Sequence, residues 1–347
     1  MLRTWIFEFL PELSDEAAAA SGMTTSEYVE EYLSLWQRDE ALGFDGIFFS
    51  EHHFGGSFSS SPNLLIAATA ARTKTLRLGV MGVVVPYYPA SRVIEEIGLL
   101  DLLSGGRLEI GTAVGVPQEL SKVGLSMDEA RAIYNETIEI LDATLETGIA
   151  NHQGKYFKYE NLRLLPRPAQ KSPPKWSTVL NKDMAQRAVH RNSKICTGFV
   201  TKERAKEIFD AYRTEAQSLG RAAGPDHLGL RRRVTVADSN TAAKEMSDAA
   251  AERFKRMAAS DSRMKMSPVP DAPGKGGGGG GGFSLSADEF ISGTPGEVAD
   301  NIIEQCRHAG AGHFLAVLHW GAGLDEVRAG HEMFGQKVIP VLKKAGL

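Results

Sequence analysis

Eight short apolar runs, each followed by a stretch with helical spacing, are the feature of this chain that most limits its possible folds. A run of about four to eight apolar residues reads as a strand covered on both faces. Strands covered on both faces belong to parallel sheets, because the helical crossovers between them lie on the sheet. The runs are Arg3 to Phe9, Gly46 to Phe49, Leu76 to Val85, Arg107 to Ala113, Trp176 to Leu180, Lys194 to Phe199, Leu228 to Val236 and Phe314 to Leu318. Strand and helix alternating eight times predicts an α/β chain with a (β/α)8 TIM barrel, residues 1–347 forming one domain. A doubly wound open sheet is the competing solution. It would want a glycine-rich turn directly after the first strand, and Glu8-Phe9-Leu10-Pro11 is not one.

Local signals support the alternation. Thr24 with Glu27, and Ser126 with Glu129, are spaced as capping boxes. Thr294-Pro295-Gly296-Glu297 combines an N-cap, a proline at the first helical position and a capping-box glutamate. Residues 11–23 are polar and alanine-rich and read as loop, and 151–168 read as a small hairpin inserted on the C-terminal rim. A final helix is expected from Leu324 to Lys344. Residues 258–284 break the pattern with Pro268, Pro270 and Pro273 and then the run Gly276 to Gly282. Nothing there can bury a face, so a mobile or disordered insertion between strands seven and eight is expected.

Charge and cysteine content exclude several function classes. A net charge of -4 argues against a nucleic-acid footprint, and no block of Lys and Arg marks a membrane surface. Two cysteines, Cys196 and Cys306, supply no disulfide framework, which suits a cytoplasmic location. Near the N-terminus, Pro11 and acidic residues arrive too soon for a signal peptide.

The second strand ends in a titratable cluster, Glu51-His52-His53, followed by Phe54 and two glycines. Adjacent side chains on an extended chain point to opposite sides, so the two histidines cannot serve one site in the same way. A carboxylate beside an imidazole can orient it and tune it towards neutral pH. Zinc is disfavoured, since no His-Glu-x-x-His and no Cys/His spacing supplies further ligands. Aromatic groups fall near strand ends or in the loops beyond them: Trp5, Phe7, Phe54, Tyr87, Tyr88, Phe199, His319 and Trp320. Converging there, they would line an apolar substrate pocket. Within strand seven, Arg231-Arg232-Arg233 should alternate in direction, with salt bridges to neighbouring elements their ordinary use.

Four blocks in this order, Ser50-Glu51-His52-His53-Phe54, Arg72-Thr73-Lys74-Thr75-Leu76-Arg77-Leu78-Gly79, Val83-Val84-Val85-Pro86 and Leu99-Leu100-Asp101-Leu102-Leu103-Ser104-Gly105-Gly106-Arg107, resemble the bacterial luciferase-like flavin-dependent monooxygenases. The resemblance extends over nearly the whole chain. It implies reduced FMN bound at the C-terminal face, a C4a-hydroperoxide formed with O2, and oxidation of a small organic substrate. It also implies a separate NAD(P)H:flavin reductase as the source of FMNH2, and a homodimer pairing through the small-residue helix Leu64 to Ala71. By position, His52 takes the family's catalytic role, with His53 and Glu51 in support. Met81, Gly82 and Val83 match the segment whose Met81-Gly82 peptide is cis and on which the isoalloxazine packs. Ala113 and Val114 stand after strand four, where the family places an arginine on the flavin phosphate. Asn181, Lys182 and Met184 follow strand five, in the family's other phosphate-binding segment, where Lys182 and a helix N-terminus could hold a dianion. An F420-dependent oxidoreductase of the same superfamily, or a non-catalytic flavin-binding barrel, would share these features.

Overall fold

The structure, a computed structural model, describes residues 1–8, 15–54, 59–260, 286–318 and 322–346. Eight parallel strands are numbered here β1 (Arg3–Glu8), β2 (Gly46–Phe49), β3 (Arg77–Val80), β4 (Leu108–Ala113), β5 (Lys175–Thr178), β6 (Lys194–Thr197), β7 (Leu228–Val236) and β8 (His313–Val317). A helix follows each of them, and the fold class is the (β/α)8 barrel. The chain divides into two compact units.

The unit made of residues 8–41 and 45–178 holds β2, β3, β4 and β5, adjacent in that order. Gly46 pairs with Arg77, Leu78 with Leu108, and Ile110 with Lys175. All four residues of β2 are buried, which is why it reads as an uninterrupted apolar run. Two buried tryptophans tie its helices and strands together through polar contacts. Trp36 donates to Glu8 Oε1 at 2.9 Å and packs edge-on against Phe49, and Trp176 donates to Glu109 Oε2 at 2.6 Å. Each indole N–H thus finds an acceptor, as a buried donor must. Ser126 and Glu129 form the expected reciprocal cap on the helix Met127–Thr147, and Gly148 closes it in the left-handed conformation. The hairpin is present as an antiparallel pair, Ile149–Gln153 with Lys158–Arg163.

The other unit, residues 1–7, 42–44 and 179–347, holds β6, β7, β8 and β1 in that spatial order. A ninth parallel segment, Phe290–Gly293, lies along the C-terminal half of β7, with Phe290 opposite Arg233. Trp5 is fully buried on β1, and its indole donates to Nδ1 of His313 at 2.9 Å. His313 Nε2 in turn donates to the carbonyl of Asp226 at 2.9 Å. An indole only donates and a carbonyl only accepts, so the ring is held as the neutral Nε2–H tautomer. Burial first, and then the nearby Lys194, push its pKa down to about 3.

The sign of the resulting pH dependence follows from linkage. Between pH 6.5 and about 3 the unfolded chain binds a proton here that the folded chain refuses, so stability falls as pH falls through this window and is unaffected above it. From pH 7 to pH 5 this group is expected to cost about 2 kcal/mol. Urea unfolding at both pH values, with His313→Gln as the comparison, measures it. An equal acid loss in the variant would show that the dependence arises elsewhere.

Three expectations change. Strand three, read as Leu76 to Val85, ends at Val80. The Met81-Gly82 peptide is cis, and Val83–Val84 forms a separate short pairing with Thr112 and Ala113. Residues 11–23 are not all loop, because Asp15–Ala20 is a short alanine-rich helix. The last helix runs Leu324–Met333 and Ile339–Lys344, with a π-helical turn at Phe334–Val338 between them. Of the expected insertion 258–284, residues 258–260 end the helix Asn240–Ser260, and the remainder, with Gly276 to Gly282, lies outside the described residues.

Candidate active site

The Glu51-His52-His53 cluster leaves the end of β2 in extended backbone, with Ser50 N–H bonded to the carbonyl of Glu8. Side chains alternate there, and the two histidines accordingly meet different acids. His53 Nε2 donates to Glu51 Oε1 at 2.8 Å, two residues away on the same side. His52 Nδ1 lies on the other side and donates to Oε1 of Glu119 at 2.9 Å. Glu119 comes from a short helical turn, Pro117–Leu120, that follows β4. Glu51 therefore orients His53 rather than His52. The carboxylate that orients His52 was missed in the sequence, where nothing distinguishes Glu119 from any acid in a loop.

Glu51 is also bound from the segment after β3. Its Oε1 accepts from the Tyr88 hydroxyl at 2.9 Å and its Oε2 from the Val84 N–H at 2.9 Å. A carboxylate with three donors works as a fixed anchor. Tyr87 stands edge-on to the His53 ring, with centroids 4.8 Å apart. Its hydroxyl is buried and has no hydrogen-bond partner among the described residues. Burial, and then the charges of Glu119 and Glu51, push the Tyr87 phenol well above its ordinary pKa. Burial and Glu51 do the same to Tyr88. Both therefore stay protonated donors.

Glu51 and Glu119 are almost wholly buried, whereas the His52 side chain is 21% exposed. The His52 ring is thus held from its buried side by Glu119 and partly open on the other. With Nδ1–H spent on Glu119, Nε2 is the atom of the neutral ring that can take a proton. Gly82 lies against the backbone of Thr112, where an added Cβ would come within 2.7 Å of the Thr112 carbonyl carbon. Only glycine lets the two segments approach so closely. Phe54 is half exposed, with a positive φ of 64° and Lys122 near its ring.

The remaining expected site residues are placed as follows. Met81 is buried, and Val83, Ala113 and Val114 are partly exposed along the ends of β3 and β4. In the other unit, Asn181 caps the helix Lys182–His190 with its own side chain, which accepts from Met184 N–H at 2.9 Å. Lys182 is half exposed and pairs with Glu207 at 3.2 Å. The Arg231 guanidinium stands near both the Phe7 and Phe199 rings. Trp5 turns towards His313 at the start of β8. His319 and Trp320 lie outside the described residues. Among the described residues, no group of three His, Cys, Asp or Glu is placed to hold a metal, and no helix is long and apolar enough to cross a membrane.

The family described as luciferase-like monooxygenase matches residues 13–313. An uncharacterised protein of Sinorhizobium fredii, y4wF, is 30% identical over 294 residues, 83% of this chain and 84% of its own. The alkanal monooxygenase alpha chain of Aliivibrio fischeri is 35% identical over 149 residues, 42% of either chain. Among solved structures, the monooxygenase RslO1 of Streptomyces bottropensis superposes with a TM-score of 0.80 at 22% identity, covering 98% of this chain and 99% of that one. The oxygenating constituent of 3,6-diketocamphane monooxygenase from Pseudomonas putida, in complex with FMN, gives 0.74 at 20% identity over 99% of both chains. An F420-dependent secondary alcohol dehydrogenase gives 0.71 at 16% identity, over 98% of this chain and 99% of that one. At these identities the structural likeness shows the fold.

Proposed function

The chain belongs to the luciferase-like monooxygenases, and on that footing we propose that it is a flavin-dependent monooxygenase that uses reduced FMN and O2 to oxidise a small organic substrate. The observation that carries this reading is His52, partly exposed and backed by the buried Glu119. Bound in its reduced form, the flavin would supply the electrons that activate O2. The rest is the work of this chain's residues. His52 moves a proton at Nε2, and Glu119 fixes the orientation of the ring through Nδ1. Glu51 holds His53, Tyr88 and the Val84 backbone in one arrangement. The Tyr87 hydroxyl is a buried donor with no acceptor among the described residues, which fits a ligand carrying carbonyl oxygens.

The residues expected around the phosphate fit less well. Val114 brings no charge, Lys182 is engaged by Glu207, and the first turn of the following helix is capped by Asn181. FMN is therefore expected to bind only about tenfold more tightly than riboflavin or less, a difference of about 1.4 kcal/mol or less. Fluorescence titration of the chain with each flavin measures this, and a preference above a hundredfold would contradict it.

The reading itself is tested by supplying FMNH2 from a separate NAD(P)H:flavin reductase and following reduced-flavin oxidation and O2 uptake. The chain is expected to alter the oxidation kinetics of FMNH2 and to leave reduced F420 untouched. Turnover with F420 alone would instead favour the F420-dependent reading, which the likeness to the alcohol dehydrogenase supports. Unchanged kinetics with both cofactors would leave a non-catalytic barrel.

A further inference from the structure

In the unit that carries the histidine cluster, a cavity lies between the barrel wall and two helices, Pro62–Arg72 and Ala90–Leu103. Ile66 comes from the first helix, Val93, Ile97 and Leu100 from the second, and Val80, Leu108 and Ile110 from β3 and β4. All of these side chains are aliphatic and buried. Val93, Ile97 and Leu100 form one stripe of their helix, and Leu108, Ile110 and Thr112 alternate along the face of β4 that meets it. The partly exposed lining residues are Asn63, Val83 and Thr112. Asn63 is in the first turn of its helix, Val83 stands just beyond β3 and Thr112 near the end of β4, so the cavity opens towards the C-terminal rim. Its mouth is beside the candidate site. Val83 pairs with Thr112, and the N–H of the next residue, Val84, is held by Glu51 at 2.9 Å.

Size and polarity decide what such a cavity can hold. It offers about 20 Å³, where a single water takes about 10–15 Å³. That is room for one very small molecule and too little for an organic substrate. Water fits poorly, because a buried water needs several polar partners and the polar groups at the edge are already engaged. Asn63 Nδ2 donates to Glu96 at 2.7 Å, and the Thr112 hydroxyl bonds that of Tyr134 at 3.3 Å. The Glu109 carboxylate is turned to the other face of β4, where it accepts from Arg77 and, at 2.6 Å, from Trp176. Among the described residues, no buried side-chain polar atom that lacks a hydrogen bond lines the cavity. A void with aliphatic walls stays dry and takes apolar guests such as xenon. Of the reactants in the oxidation proposed above, only O2 is both apolar and this small.

We propose that this cavity is a waiting site for O2, from which the gas passes between Val83 and Thr112 to the candidate site. An apolar gas partitions from water into aliphatic surroundings, so the cavity raises its concentration beside the strand ends where this fold does its chemistry. The O2 assignment rests on the monooxygenase reading. Xenon occupancy is measured without flavin, so the two can fail separately.

The test pairs xenon with kinetics. Crystals of the full-length, flavin-free chain under xenon pressure are expected to show a xenon atom among Ile66, Val80, Val93, Ile97 and Ile110. Ile97→Phe, which fills the cavity, is expected to abolish that xenon site. It should also lower severalfold the bimolecular rate constant for O2 with FMNH2 bound to the chain, at unchanged FMN affinity. Val93→Ile adds a single methylene and is expected to give a smaller loss of both, which keeps the test informative if the phenylalanine variant fails to fold. Leu99→Phe, on the exposed side of the same helix, is expected to change neither. No xenon in the cavity, or wild-type O2 rate constants in both Ile97→Phe and Val93→Ile, would overturn the proposal and leave a packing gap. Equal slowing in Leu99→Phe would overturn it as well, since a disturbed helix would then explain the effect. A wild-type chain that takes xenon but leaves FMNH2 oxidation unaltered would sink the monooxygenase reading and the O2 assignment together. An empty cavity with FMNH2 oxidation altered as expected would sink the O2 site alone.

Discussion

Replacing His52 with alanine is expected to lower the FMNH2-dependent turnover of substrate by about a hundredfold to ten-thousandfold, the range for loss of a positioned proton-transfer group. FMN affinity and melting temperature should change little, because the ring is partly exposed and its partner Glu119 lies behind it. Glu119→Gln is the informative companion. It keeps the shape and a hydrogen bond to Nδ1 but removes the charge behind that bond, so turnover should fall less than in His52→Ala. Wild-type turnover in Glu119→Gln would show that the carboxylate does not position the ring. Wild-type turnover in His52→Ala, with the variant folded, would remove the proton-transfer role altogether.

Glu289→Ala is expected to have the largest effect on stability. The substitution leaves three buried guanidiniums and the Phe199 N–H without the acceptor they share. Breaking a buried pair from one side costs about 3–5 kcal/mol, a large share of the roughly 5–15 kcal/mol that stabilises a folded domain. In urea this should lower the unfolding midpoint by about 1 M or more at unchanged slope. Glu289→Gln retains an acceptor and should lose less. A loss below about 1 kcal/mol in the alanine variant would mean that the arginines find other partners.

The two sites differ in how much of them could be read from the residues. The parallel strands were legible because their burial on both faces writes itself as an apolar run, as in Ile47-Phe48-Phe49. Capped helices were legible for the same local reason, and the reciprocal bonds of Ser126 with Glu129 are present. The histidine cluster stood out because ionisable residues at the end of a buried strand are conspicuous. Its oxygen partners were not legible. Glu51 was adjacent and drew attention, but alternation along the strand gives it to His53, and the acid for His52 comes from 67 residues away. Lys182 resembled a phosphate ligand in sequence until the next helix presented Glu207 to it. The arginine triplet was visible as a run, with Arg232 pointing away from its neighbours, but Glu289 could not be matched to it, being 56 to 58 residues further along the chain. What the chain hides is long-range pairing, which depends on tertiary geometry.

Glu51 ties the loop after β2 to the turn after β3 through one ion. The two segments are therefore mechanically coupled, and neither can be reshaped alone. Shortening the acid by a methylene, or losing the phenol at position 88, would tilt the imidazole at 53 as well. Retuning this scaffold for a different compound would require exchanging both stretches together, as a cassette.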